Sequence, residues 1–457
     1  LHQQEGRIMS WSMSEQDQNI ISKALSAAKQ AGADGTDVSF IKGGGQDVQV
    51  RLGKVESAER AEDYQMGMRV FVGQRSATIS SGQLDDKNIT QLAERAVAMA
   101  RHAPENPYAR LATAEEQAKS FPEIDLYDDT YFSTDKLTEI ALACEDAALS
   151  QTGISNSDGA SASAGTSEVV IGTSTGFNAS YKRSNFGFSA VVLAEKDGQM
   201  ERDYDYSSAV FAEDLEEPEL VGQNAAHRTL SRLGGRKPQT GTFPVIFDKR
   251  VSRSLAGHVA SAINGASIAR GTSFLKERMG EQITNAAIHL LDNPLLPRGH
   301  GSRLFDGETL PVKERHLVKD GVLQGWLLDL ATAAQLNLEP TGNASRSLSG
   351  PPSPSVSNFI MEAGGTTLDE FLSDIEQGFY ITELMGSSVS LTTGDYSRGA
   401  SGFWIENGKV TWPATEATIA GNLKDIFMDM LPANDLELTQ SIAAPSVFIK
   451  QLMVAGS

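Results

Sequence analysis

"RLGGRKPQTGTF", residues 232–243, is the stretch on which the fold reading turns. Two glycines end a helical pattern, and a Pro/Gly-rich segment then opens a strand, "FPVIFD". A break of this kind separates two folding units, with an expected division into 19–238 and 239–457. Upstream of it, a helix is expected around residues 20–31, followed by short alternating strands such as "QDVQVRLGKVESAER". There Val48, Val50 and Leu52 share one side at a period of two. Helices are expected at about 85–102, 134–150 and 219–233, with a second strand series between the last two. The first 18 or so residues carry no hydrophobic period and read as a loose tail. Downstream, glycine-rich runs such as "MGSSVSLTTGDYSRGASGFWIENGKV" read as tight turns between strands. Strand runs and helices are grouped rather than strictly alternating. The expected class is therefore α+β: an N-terminal helix-and-sheet domain and a strand-rich C-terminal domain.

Composition narrows the function. The chain of 457 residues has 39 Lys and Arg against 59 Asp and Glu, a formal charge of −20. That balance disfavours a long contact with phosphate backbones, so no direct nucleic-acid contact is expected. A single cysteine, Cys144, rules out an internal disulfide and fits a reducing, cytoplasmic setting. No run approaches the roughly 18 apolar residues of a membrane span.

Residues 248–274, "DKRVSRSLAGHVASAINGASIARGTSF", raise the question of a metal site, because His258 lies within a helical pattern. At about 100° per residue, with Val251 at zero, Leu255 falls at about 40°, Ala262 at about 20° and His258 at about −20°. His258 therefore lies on the apolar side. The residue after it is Val259, and no other His, Asp, Glu or Cys occurs from Val251 to Arg270. Zinc needs three or four protein ligands, so one imidazole defines no site. His227, His300 and His316 lack suitable neighbours. His289 has Asp292 nearby, where a turn-capping role suits the following "NPLLP".

Nucleophile motifs fare no better. "GTSTG", residues 172–176, matches the Gly-x-Ser-x-Gly elbow with Ser174 as nucleophile, but an elbow needs a following helix. "FNASYKRSNFGF" alternates like another strand, which makes the motif a hairpin turn. "STDK" at Ser133 reads as a helix start, and "SFLK" at Ser273 lacks the partner motifs of penicillin-reactive enzymes.

In the C-terminal half, "TELMG" (residues 382–386), "TGDYSRGASGFWIENG" (393–408) and "TIAGNLKDIF" (418–427) resemble the TldD/PmbA family of peptidases. "GHVASAINGASIARGTSFLKERMGEQI" and "LQGWLLDLATAAQLNLEPTGNASR" fit the same pattern. The likeness is greatest to the PmbA (TldE) branch, also labelled modulator of DNA gyrase. This resemblance implies a cytosolic peptidase system in which a TldD-type and a PmbA-type subunit assemble and cleave peptides and unfolded segments.

In the TldD branch a His-Glu-x-x-x-His helix and a cysteine near the C-terminus hold zinc. An ungapped count back from "RGTS" puts those helix positions at Ala256, Gly257 and Ser261, and the cysteine's neighbourhood at "SIAAPSVFIK", residues 441–450. None of these side chains is a zinc ligand. The resemblance thus implies a non-catalytic partner subunit: no catalytic or metal residue and no cofactor in this chain, with zinc only in the TldD-type partner. A homodimer is the expected state in that partner's absence. Asp395, Tyr396, Ser397 and Arg398 are the expected contacts to partner or peptide, since Tyr and Arg are enriched at interface hot spots. Two other readings stand beside this one: a stand-alone hydrolase using Ser174 or a metal held by residues scattered along the chain, and a regulatory binding protein connected to DNA gyrase.

Overall fold

The computed structural model describes residues 13–456. The N-terminal part contains α1 (Glu15–Ala31), β1 (Gly35–Arg51), β2 (Lys54–Val72), β3 (Arg75–Ser81), α2 (Asp86–His102), α3 (Thr134–Leu149), β4 (Ile154–Thr173), β5 (Asn178–Lys196), β6 (Gln199–Ala209) and α4 (Pro218–Ser231). α1 starts earlier than the sequence pattern suggests. Ser14 caps it by accepting from the Asp17 amide, and Gly32 ends it at φ 104°. Residues 13–18 therefore belong to a helix start and not to a loose tail; the rest of that expected tail, residues 1–12, lies outside the described residues.

The six strands form one antiparallel sheet in the order β3-β2-β1-β4-β5-β6. β1 is long enough for both helix pairs to pack on one of its faces. Val38 and Phe40 meet α1 and α2, while Val48 and Val50 meet α3 and α4. Leu52, expected to continue that face, sits instead in the β1–β2 turn at φ 49° and is exposed. The odd-numbered residues of β1 point to the opposite face, where Asp37 stands directly across from Arg69 of β2. Gly67 shares that face: a Cβ there would lie 2.4 Å from the Leu348 carbonyl oxygen. Glycine thus lets a loop of the C-terminal part lie flat on the sheet.

The C-terminal part continues with β7 (Gly241–Phe247), α5 (Lys249–Ala262), α6 (Gly265–Ala269), β8 (Leu290–Asp292), β9 (Arg315–Lys319), β10 (Val322–Leu323), α7 (Leu330–Leu336), β11 (Ala344–Ser345), β12 (Ser353–Pro354) and β13 (Phe359–Met361). It ends with α8 (Leu368–Ser373), β14 (Gln377–Val389), β15 (Asp395–Glu406), β16 (Lys409–Asn422), α9 (Leu423–Asp429), β17 (Leu431–Pro432), β18 (Ile442–Ala443) and β19 (Val447–Gly456).

The ladder β16-β15-β14-β7-β19 closes on itself, because residues 417–420 of β16 also pair with residues 453–456 of β19. A five-stranded barrel results. Within it "DYSRGASGFWIE" is strand β15, not the run of turns that its glycines suggest. Gly402 is needed there because a Cβ would lie 1.9 Å from the Tyr380 carbonyl oxygen on β14. The core runs continuously from the barrel into α5 through Val245, Phe247, Leu255, Val259, Phe379 and Trp404.

The two parts share a seam. Phe305 of the C-terminal part packs edge-on against Phe177 and Tyr181 of the β4–β5 hairpin, with ring centroids 5.1 and 5.3 Å apart. Beside this apolar contact lies a sealed ionic cluster. Arg69 donates to Asp37 at 2.6 and 2.9 Å and to Glu308 at 3.2 Å. Arg346 Nη2 lies 2.5 Å from Asp37 Oδ1 without the angle of a hydrogen bond. All four side chains are at most 5% exposed. Burial alone would raise the Asp37 carboxyl, but the Arg346 and Arg69 guanidiniums outweigh it and hold Asp37 below its usual range.

Candidate functional site

α5 positions the site. Its N-cap, Asp248, accepts from the Arg250 amide at 2.8 Å and from the Tyr380 hydroxyl of β14. Ser252, Leu255, Ala256, Val259 and Ala262 are buried on one side of this helix. Arg250, Arg253, Ser254 and Gly257 follow the i, i+3, i+4, i+7 spacing of a second stripe. That stripe forms one wall of a cleft of about 540 Å³, closed by β14, by β6 and by residues 440–442.

The cleft carries four arginines. Arg232, which follows α4, reaches Glu383 at 2.6 Å, Glu201 at 3.2 Å and Asp203 at 3.5 Å. Arg250 donates to Asp203 at 3.0 Å and stacks over Tyr204, with 5.0 Å from Cζ to the ring centroid. Both are therefore neutralised by carboxylates of the cleft wall. Arg253 and Arg398 are not. Among the described residues Arg253 has no ion pair or hydrogen bond, and Arg398 has only a long donation from Nε to the Met385 carbonyl, at 3.4 Å. Gly257 adds room, since a Cβ built on it would meet nothing within 4 Å.

His258 packs against β15. Its ring meets Tyr396 edge-on at 5.8 Å, and neither His258 Nε2 nor the Tyr396 hydroxyl has a hydrogen-bond partner among the described residues. Burial, helped by the Arg398 charge, lowers the His258 pKa to about 4, so the imidazole is neutral near pH 7. Burial likewise pushes the Tyr396 phenol up to about 12, against a smaller opposing effect of Arg398. His258 is a packing residue.

The expected contact residues are divided by the fold. Tyr396 is only 2% exposed and belongs to the core, so it offers no surface to a partner or a peptide. Asp395 is exposed and accepts from Thr393 Oγ1 at 2.6 Å, shaping the turn before β15. Ser397 is half-buried and does not line the cleft; Arg398 does. Arg232, Arg250 and Arg253 were missed by sequence reasoning. The Arg250/Arg253/Gly257 spacing on α5 was the available signal, whereas Arg232 comes from the other half of the chain.

Of the positions that the family resemblance would assign to metal, one lies on this cleft. Gly257 lines it, Ala256 is buried, and Ser261 donates to the Gly257 carbonyl at 2.8 Å. Ser252 Oγ donates to Pro445 O at 2.7 Å, holding residues 441–446 against α5 with Ser441 at the cleft and Ala443 and Ala444 buried. Hydroxyls and alanine methyls make no zinc donor set. Among the described residues no group of three His, Cys, Asp or Glu is placed to hold a metal ion.

The other candidates are separate. Asp292 is not the turn cap: Asn293 accepts from the Leu295 amide instead, while Asp292 is buried and accepts from Asn343 Nδ2, Ser357 N and Ser357 Oγ at 2.7–2.8 Å, and His289 lies 4.0 Å from Asp320. Ser174 sits in the β4–β5 hairpin turn, where Thr36 N donates to its Oγ at 3.0 Å, and no helix follows it. Ser133 caps α3, and Ser273 donates to the Ala262 carbonyl. Cys144 is buried on α3, its thiol pushed up to about 12 chiefly by burial.

Comparison with known proteins agrees with this architecture along most of the chain. Family models of the PmbA/TldA metallopeptidases match in chain order: domain 1 over residues 36–100, the central domain over 127–233 and the C-terminal domain over 240–456. The chain is 36% identical to the metalloprotease PmbA of Escherichia coli O157:H7 across 97% of both sequences. A Bacteroides thetaiotaomicron protein, provisionally named a modulator of DNA gyrase, superposes with a TM-score of 0.90 at 26% identity, over 98% of this chain and all of that one. TldE of Thermococcus kodakarensis shares the fold, with a TM-score of 0.86 at 18% identity over 96% of this chain and all of that one. An α+β chain built in this way is a member of a metallopeptidase family. It belongs to the PmbA/TldA family, in its PmbA branch.

Proposed function

We infer that this chain is the non-catalytic subunit of a zinc-dependent peptidase complex, paired with a TldD-type subunit that holds the zinc. The observation that carries the reading is the junction of α5 with residues 441–446, where the family's metal positions are taken by Ala256, Gly257 and Ser261 and the adjoining loop supplies alanines. A chain with this cleft can guide substrate without cutting it. Past Ile381 the ladder between β14 and β7 stops, so the rest of β14 pairs only with β15 among the described residues. An extended peptide can add to that edge through main-chain hydrogen bonds, which tolerate varied sequences.

The substrates are peptides or unfolded segments, the setting is cytoplasmic, and the chain alone is a homodimer. No helix among the described residues is long and apolar enough to cross a membrane. The test is metal content and peptide cleavage measured on one purified sample, alone and after mixing with a TldD-type partner. Cleavage only in the mixture, with little zinc in the isolated chain, is the expected result. Stoichiometric zinc with cleavage by the isolated chain would overturn the reading.

A further inference from the structure

The cleft has a surplus of positive charge that the fold does not need. Four guanidiniums line it against two carboxylates, Asp203 and Glu383, and these two are taken up by Arg232 and Arg250. Arg253 and Arg398 face the same space from different elements, α5 and β15, in a chain whose formal charge is −20. A half-buried guanidinium without a carboxylate is a planar set of donors awaiting an acceptor. Gly257 lies one helical turn beyond Arg253 on the same stripe and leaves the floor open.

The remaining walls select the kind of anion. Residues 382–384 of β14 border the cleft along the free strand edge, and Val251, Leu384 and Ile442 supply apolar surface. A small inorganic anion would use the arginines and leave that edge and those side chains idle. An extended peptide bearing a carboxylate would use all three.

We propose that Arg253 and Arg398 bind a carboxylate of an extended peptide lying along β14, where Gly257 leaves room for it. This rests on the reading of the chain as a substrate-guiding subunit, but it concerns binding by this chain alone. The carboxylate comes either from a peptide C-terminus or from an acidic side chain.

The test uses the full-length chain without a partner and reads fluorescence anisotropy of labelled short alanine-threonine peptides. One peptide ends in a free carboxylate, one in an amide, and two amidated ones carry an internal Glu or Gln. Tighter binding of the free acid over the amide assigns the C-terminus, and tighter binding of Glu over Gln assigns a side chain. In either case R253A/R398A should weaken the preferred peptide about tenfold or more. Gly257→Leu, which meets no protein atom at Cβ, should block binding by filling the floor. Thermal unfolding of both variants should match the parent to within a few degrees, separating lost binding from lost folding.

Equal binding of all four peptides, no binding of any, or unchanged binding by the double variant would overturn the proposal. Because no cleavage is measured, these outcomes leave the subunit assignment standing. Conversely, carboxylate binding by an isolated chain that also holds zinc and cleaves peptides would keep the site and sink the assignment.

Discussion

Two groups of arginines lie on the joint between the halves of this chain, and they are built oppositely. At the sheet face, Arg69 and Arg346 meet Asp37 and Glu308 in a sealed cluster with equal numbers of each sign. In the cleft, Arg232 and Arg250 are matched by Asp203 and Glu383, whereas Arg253 and Arg398 are left over in an open space. The contrast separates two uses of one side chain. A buried guanidinium held against carboxylates fixes how two surfaces dock, because any other docking strands a charge. An unmatched one beside solvent fixes little and remains free to bind.

The sharpest way to break the comparison is Arg69→Met. It leaves Glu308 without its arginine and Asp37 with Arg346 only, and loss of one partner in a buried ionic group costs about 3–5 kcal/mol. Denaturant unfolding should show a loss of that order, and a loss below about 1 kcal/mol would mean that the cluster is not fixing the seam.

A smaller effect is expected from pH. Burial, resisted by Arg69, raises the Glu308 carboxyl from 4.5 to about 7. The folded chain therefore holds this proton more tightly than the unfolded chain, and the contribution is fully present below pH 4.5 and is lost as pH rises toward 7. Glu308→Gln removes that dependence. The difference between parent and variant stability curves should change across pH 4.5–7 and be flat above it. A constant difference would place the carboxyl at an ordinary value. His258 works in the other direction, being lowered to about 4, so the difference curve is the quantity to read.

The smallest effect tests the other side of the contrast. Arg253→Ala removes no ion pair and should alter stability by about 0.5 kcal/mol or less, as for ordinary surface changes. A loss comparable with that of Arg69→Met would mean that Arg253 is structural.

Much of this molecule was legible in the sequence, for reasons that the structure makes plain. α5 carries a strong 3.6-residue period, and the same period placed His258 on its buried side, where it contacts Tyr396. The elbow-like motif at Ser174 was correctly a hairpin, because the alternation of the following residues belongs to β5. The family resemblance rested on several long motifs in one order and is borne out along the chain. Other features were hidden because they depend on distant partners. Gly402 looks like a turn residue until the Tyr380 carbonyl is placed against it. Tyr396 looks like a contact residue until the barrel closes around it. Arg69 and Glu308 are 239 residues apart, and no local pattern announces such a pair. The start of α1 was missed because Ser14 and the polar first turn carry a capping signal without a hydrophobic one.

The closing of the barrel bears on how the chain is made. β7 runs between β14 and β19, and Gly456 approaches so near to Pro238 that a Cβ would lie 1.9 Å from its carbonyl oxygen. The first strand of the C-terminal part cannot complete its ladder until residues 447–456 have been synthesised. At common translation speeds that wait is on the order of 10–50 s after β6 has emerged, during which the N-terminal sheet can already assemble. The face it leaves uncovered meanwhile includes Asp37 and Arg69, already paired across neighbouring strands. At that place, a surface destined for burial spends its nascent life as a water-compatible ion pair, which tempers its tendency to stick to other unfinished chains.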